Sequence, residues 1–179
     1  MVPEAGLEHS EHGTFPFEDG WFVVNARDTQ WFESDGLGFY APFEGENARF
    51  GELGFNLGIL RPGEPGGMYH GEETQEDFLV LAGECLLIVE GQERPLKQWD
   101  FFHCPPWTEH AFVGAGDGPC LILAVGARRS GRGIRYPVNE AAQKHAAGVE
   151  KETLDPKKAY ARFGPPPWPV PCPDEFPGD

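Results

Sequence analysis

Apolar positions in this chain fall in short runs of strand length, separated by glycine, proline and charged residues. Residues 76–82, Glu-Asp-Phe-Leu-Val-Leu-Ala, place Glu76, Phe78, Val80 and Ala82 on one face and Leu79 and Leu81 on the other, as an extended chain must. Further strands are expected at 21–24, 36–40, 55–60, 85–89, 100–104, 110–113 and 120–125, broken by Pro42, Pro62-Gly63, Gly83-Glu84, Gly91-Gln92 and Pro105-Pro106. A helix is predicted over 138–147, where alanines recur without a breaker. Residues 164–179 hold seven prolines and are expected to be extended. Three regions follow: an N-terminal arm over 1–20, a β domain over 21–136, and a short helix with a proline-rich tail over 137–179.

Composition supports this turn-rich picture. The 179 residues include 24 glycines and 18 prolines, against long helices, and 40% hydrophobic residues, enough for a core. Fourteen basic against 29 acidic residues leave a net charge of −15, which argues against nucleic acid or an anionic membrane surface as partner. No apolar stretch reaches the length of a membrane span, and the acidic N-terminus has no leader-like segment, so a cytoplasmic protein is expected. Cys85, Cys104, Cys120 and Cys172 show no paired spacing and are expected to stay reduced. Cys85 and Cys120 open apolar runs and read as small core residues. His9 and His12 lie in the arm, which is expected to be unpacked rather than a metal site.

The candidate chemistry lies between residues 69 and 110. His70 and Glu72 share a face of an extended segment. Glu76 shares its face with apolar Phe78 and Val80, and His110 with apolar Phe112. A carboxylate on an interior face is costly unless paired or bound to a cation, and converging imidazoles and carboxylates suit a divalent transition metal. Nothing resembles a serine or cysteine hydrolase: no G-x-S-x-G occurs.

The stretch from about residue 55 to 127 resembles a cupin domain of the single-domain, type 2-like kind. His70-x-Glu72-x-x-x-Glu76, followed by Gly83, is similar to the family's first motif. Trp99-Asp100, then Pro105-Pro106-Trp107-Thr108-Glu109-His110, is similar to its second. Glu72 stands where the family usually has a second histidine, and Trp99 and Trp107 where it usually has glycines; Gly114 stands where it often has asparagine.

The resemblance implies an all-β double-stranded β-helix, or jelly-roll barrel, with a short C-terminal helix and extended tails. It implies a divalent ion (zinc, iron, manganese or nickel) on His70, Glu76 and His110, with Glu72 as fourth ligand. Two carboxylates would largely neutralise such an ion, favouring polarisation of a small neutral or weakly charged ligand over generation of a potent hydroxide. The function implied is metal-dependent chemistry on a small organic molecule, of oxygenase, isomerase or lyase type; the alternative is a non-catalytic binding cupin whose metal is structural or absent. Tyr69, Phe78 and Phe112 are pocket candidates by position. Gln75 abuts the first motif, and His103 lies on the strand into the second; both join that set, with a satisfied rim histidine as the alternative for His103. Arg128, Arg129, Arg132 and Arg135 read either as an anion site or as a solvated or bridging loop. The two apolar faces of residues 76–82 call for cover on both sides, by the chain's own N-terminal strands or by a second subunit; the resemblance implies a homodimer, and Trp168, Val170 and Phe176, too apolar for a solvated linker, are expected to dock at the interface.

Overall fold

A computed structural model describes residues 1–128 and 133–177. In chain order the strands are β1 (Leu7–Ser10), β2 (Gly13–Pro16), β3 (Trp31–Ser34), β4 (Gly38–Ala41), β5 (Leu53–Leu60), β6 (Gly71–Glu72), β7 (Glu76–Ala82), β8 (Glu84–Val89), β9 (Gln92–Lys97), β10 (Phe101–Cys104), β11 (His110–Ala115), β12 (Cys120–Ala127) and β13 (Ile134–Arg135). Helices α1 (Glu140–Lys144) and α2 (Pro156–Ala159) and strand β14 (Trp168–Val170) follow. The fold is mostly β with few helical residues, as the runs of strand length predict. No helix among the described residues is long and apolar enough to cross a membrane.

Seven strands form an antiparallel sheet in the order β10-β7-β12-β5-β4-β3-β14, and three form a second in the order β11-β8-β9. Alternation decides what lies between them. Leu60, Phe78, Val80 and Ile122 of the larger sheet meet Cys85, Leu87 and Phe112 of the smaller one in a shared core. These hydrogen-bonded ladders remain two separate sheets rather than one closed barrel.

The outer faces are covered in part by the chain itself, with Phe101 and Leu53 of the larger sheet left exposed. Behind the larger sheet, Trp31, Phe39, Leu57, Ile59 and Leu121 pack with Leu81 and with Val170, Cys172 and Phe176 of the tail. Phe176 meets Trp31 edge to face at 5.8 Å, and Glu175 pairs with Arg61 at 2.9 Å. The tail is therefore docked on its own chain in this structure, whereas the sequence expectation placed it at a subunit interface. Behind the smaller sheet, Tyr69, Ile88, Ala111 and Val113 pack against Ala142 and Ala147.

Several local expectations change. The N-terminal segment is not an unpacked arm: β1 and β2 pair from Leu7↔Pro16 to Ser10↔Gly13, and His9 Nδ1 lies 2.9 Å from Thr14 Oγ1. Residues 21–24 are apolar but carry no strand; Val23 is exposed, and Trp21 makes one isolated bridge to Glu4. The predicted helix shortens to α1, because Asn139 caps it by accepting from the Ala142 N–H at 3.1 Å and Ala146 turns left-handed beyond it. All four cysteines are free thiols, with Cys85, Cys104 and Cys120 buried.

Candidate metal centre

An antiparallel bridge builds the centre. His70 and His110 exchange backbone hydrogen bonds, N–H to carbonyl, at 3.0 and 2.8 Å. That pairing sets the two imidazoles side by side, ring centroids 4.9 Å apart. Glu76, first residue of β7, lies opposite Cys104 and Gly126 and adds its carboxylate. One ligand atom from each of His70, Glu76 and His110 falls within 4.8 Å of the others. Glu72 stands beside this trio, its Oε1 3.6 Å from His70 Nε2.

The second nitrogen of each ring fixes what the first can do. His70 Nδ1 is 2.7 Å from the Met68 carbonyl, and His110 Nδ1 is 3.1 Å from the Thr108 carbonyl. A carbonyl only accepts, so both Nδ1 atoms carry hydrogen and donate. The Nε2 atoms face the carboxylates, His110 to Glu76 at 3.5 Å and His70 to Glu72 at 3.6 Å. Imidazole Nε2 with Nδ1–H held by a backbone carbonyl is how proteins orient a metal-binding histidine. Burial, then the neighbouring His70, depress the pKa of His110 to about 4, so this ring is neutral at pH 7 and needs no deprotonation to bind a cation. Burial lowers that of His70, but the Glu72 hydrogen bond, the Glu76 charge and the Met68 carbonyl outweigh it and raise the group overall. Beneath the centre the Cys104 sulfur lies 3.4 Å from His110 Nδ1; burial pushes this thiol up to about 12, so it stays protonated.

The trio opens on a cavity of about 750 Å³ between the sheets. Phe78 and Phe112 line it as alternation predicts, their rings 4.7 Å apart. The three other pocket candidates lie elsewhere. Tyr69 is one position from His70 and so faces the opposite side; it is fully buried under α1, and its hydroxyl accepts from the Gly91 N–H at 3.1 Å. His103 and Gln75 both engage Asp77, at 2.6 Å each. Asp77 and His103 flank the inward Glu76 and Cys104 and therefore point outward, and His103 is a satisfied rim histidine rather than a pocket residue.

Sequence reasoning missed the far wall. Tyr160, Phe163 and Pro165–Pro167 line the cavity from the C-terminal segment. Tyr136 lies 5.8 Å from the His70 ring and 5.9 Å from Tyr160, whose hydroxyl accepts from the Met68 N–H at 3.2 Å. The only local signal is Tyr160 and Phe163 at helical spacing beside the Asp155 cap, which does not say where they fold back.

Trp99 and Trp107 keep the left-handed backbone that glycine favours, at φ of 75° and 67°. Trp107 N–H donates to the Glu72 carbonyl at 2.6 Å, so this strained turn clamps β6 beside the centre. The basic cluster is not an open anion site where described. Arg128 makes a two-pronged pair with buried Glu44 at 2.6 and 2.7 Å, and Arg135 pairs with Glu109. Arg129 and Arg132 lie outside the described residues.

Comparison with known proteins agrees with this architecture. Residues 56–126 match the cupin domain family. A glucose-6-phosphate isomerase from Pyrococcus abyssi (strain GE5 / Orsay) is 31% identical over 88 residues, 42% of this chain and 47% of that protein. The match thus spans about half the length of that curated relative. Two solved structures share the fold: a Cupin 2 conserved barrel domain protein from Salinispora arenicola CNS-205 (TM-score 0.51, 17% identity, 70% of this chain and 95% of that one) and a polyketide cyclase from Streptomyces resistomycificus (TM-score 0.52, 15% identity, 63% and 83%).

Proposed function

We propose that, within the cupin domain matched by residues 56–126, His70, Glu76 and His110 hold a divalent transition metal, with Glu72 as fourth protein ligand. An ion held there would bind and polarise a small oxygen-bearing organic molecule in the adjoining cavity. What carries this reading is the shared tautomer: both imidazoles spend Nδ1–H on a backbone carbonyl and turn Nε2 toward carboxylates, and His70, Glu76 and His110 line one cavity. Mixed nitrogen and oxygen donors suit zinc, iron, manganese or nickel.

A bound ion would supply Lewis acidity toward a carbonyl, hydroxyl or phenolic oxygen. The protein's own contribution is orientation and exclusion. Phe78 and Phe112 keep the metal side of the cavity apolar, Tyr136 backs the His70 ring, and Trp107 holds the strand that bears Glu72. Two carboxylates beside two neutral imidazoles offset a dication, so the centre favours neutral or weakly charged ligands over anions. In this reading the two sheets are the walls of a cupin jelly roll, and the chain pairs as a homodimer.

Elemental analysis of protein purified without added metal, beside His110→Ala, tests the proposal. Near-stoichiometric metal in the native protein, lost in the variant together with thermal stability, is the expected result. Absence of metal from both, with unchanged melting, would remove the centre. Turnover of carbonyl, sugar-derived or phenolic compounds by the metal-replete protein separates catalysis from binding alone, and light scattering tests the dimer.

A further inference from the structure

The wall of the cavity opposite the smaller sheet has an unexplained gap. Across the larger sheet, Phe32, Tyr40, Gly58, Ile122 and Val80 lie in one register row. Phe32 and Tyr40 stack with centroids 5.3 Å apart, and Ile122 and Val80 belong to the core between the sheets. Gly58, in the central strand β5 and lining the cavity, adds nothing to that row.

Two common reasons for a strand glycine, a left-handed backbone and close approach of a neighbouring protein group, do not apply at Gly58. Its backbone is not left-handed. A Cβ there would meet only the backbone oxygens of Phe39 and Ile122, at 3.9 and 4.0 Å, with no side chain within 4 Å. Two other strand glycines, Gly114 and Gly54, differ. A Cβ on Gly114 would lie 2.1 Å from the Arg61 carbonyl oxygen, and one on Gly54 would lie 2.9 Å from Arg128 Nε. Those positions are closed by the protein, whereas Gly58 is open to the cavity. A glycine in a central strand weakens the sheet, and a frequent reason to keep one is close approach of a ligand.

The charge of the lining narrows what approaches. Among the described lining residues Lys157 is the sole lysine or arginine, and it is exposed on α2, while Asp35 and Glu76 are acidic. Leaving aside any bound ion, a phosphate or carboxylate group there would meet two carboxylates, two imidazoles and one solvated lysine, without the arginine fork that usually holds such groups.

We infer that the cavity takes an uncharged, planar aromatic molecule bearing an oxygen, whose ring lies against the bare backbone of Gly58 between Tyr40 and Ile122, and that Gly58 is the specificity-determining residue. This rests on the reading of the cavity as the ligand site, but not on the metal. It also distinguishes this chain from the sugar-phosphate activity named for its Pyrococcus relative.

The test is a fluorescence titration with 2-naphthol, run with zinc and with chelator, on the native chain, Gly58→Ala and Gly58→Val, with glucose 6-phosphate as the anionic comparison. The native chain is expected to bind 2-naphthol in both conditions and to prefer it to glucose 6-phosphate. Affinity should fall severalfold in Gly58→Ala and at least tenfold in Gly58→Val, with melting temperature not lowered and zinc affinity within twofold of native. If the valine variant fails to fold, the alanine variant decides. Native-like binding of 2-naphthol by the folded variants, no binding by the native chain, or preference for glucose 6-phosphate would each overturn the inference. Loss of zinc binding alone, with the naphthol results intact, would instead count against the metal centre.

Discussion

Replacing Glu76 by glutamine keeps the shape of the centre and removes one charge. The Glu76 side chain is 19% exposed and its Oε2 sits 3.5 Å from His110 Nε2, so the amide fits the same space. Without metal, melting should shift little, because the change relieves a partly buried carboxylate as much as it loses a polar contact. With metal the two proteins should part. At free metal of 100 times Kd the native chain gains about 2.7 kcal/mol. In a chain of this size each kcal/mol moves Tm by about 2–4 °C, so zinc should raise it by roughly 5–11 °C. Loss of the carboxylate should weaken affinity by ~100-fold or more, since even groups behind the ligands are worth 10- to 100-fold. At the same metal concentration the variant then gains only RT ln 2, about 0.4 kcal/mol, or roughly 1–2 °C. Melting followed by circular dichroism, with zinc and with chelator, gives both increments. An equal zinc increment in the two proteins would refute the reasoning. So would a Tm several degrees lower in chelator alone, which would make Glu76 a fold residue first.

Three further outcomes are expected. In metal-free protein the His110 ring should stay neutral until about pH 4; because the unfolded ring titrates near 6.5, its contribution to stability is intact above 6.5 and lost as pH falls from there to 4, and a 15N-detected titration near 6.5 would contradict it. Tyr69→Phe should cost about 1 kcal/mol through the lost acceptor for the Gly91 N–H, without changing metal affinity; normal stability with impaired binding would return Tyr69 to the cavity. Arg128→Ala should cost about 3 kcal/mol, because it leaves the buried Glu44 carboxylate with only the Phe50 N–H and the exposed Arg49, 3.9 Å away, in place of the two-pronged pair, and lower Tm by roughly 6–12 °C; an unchanged Tm would reopen the anion-site reading.

The inner set of the central strands was legible because one alternation serves burial and chemistry together. Glu76 lies on the face of Phe78 and Val80, and His110 on the face of Phe112, so placing the core placed these candidate ligands. The same rule explains the errors. Tyr69 and Gln75 were grouped with the site by closeness in sequence, yet in extended chain an odd offset from His70 or from Glu76 reverses the face. β9, Gln-Glu-Arg-Pro-Leu-Lys, is a polar edge strand with one partly buried side chain, Leu96, so it carries no alternation to read. α2 did have a signal, Asp155 before Pro156 at the first helical position, but a four-residue helix leaves no period. Tyr136 beside His70, and Tyr160 and the prolines that complete the cavity, come from a segment returning over the sheets, and no local pattern encodes that return. Trp99 and Trp107 show the converse. The turns hold their left-handed geometry without glycine because the surrounding hydrogen bonds, Trp99 N–H to Val80 O and Trp107 N–H to Glu72 O, over-determine them.

The most direct test of the metal centre is X-ray absorption at the edge of whatever metal the native protein retains. The arrangement of His70, His110, Glu76 and Glu72 predicts scattering from two imidazole rings with the remaining near neighbours oxygen, and loss of one ring in His70→Ala. A retained metal whose shell contains no imidazole, or one unchanged by that substitution, would contradict the account.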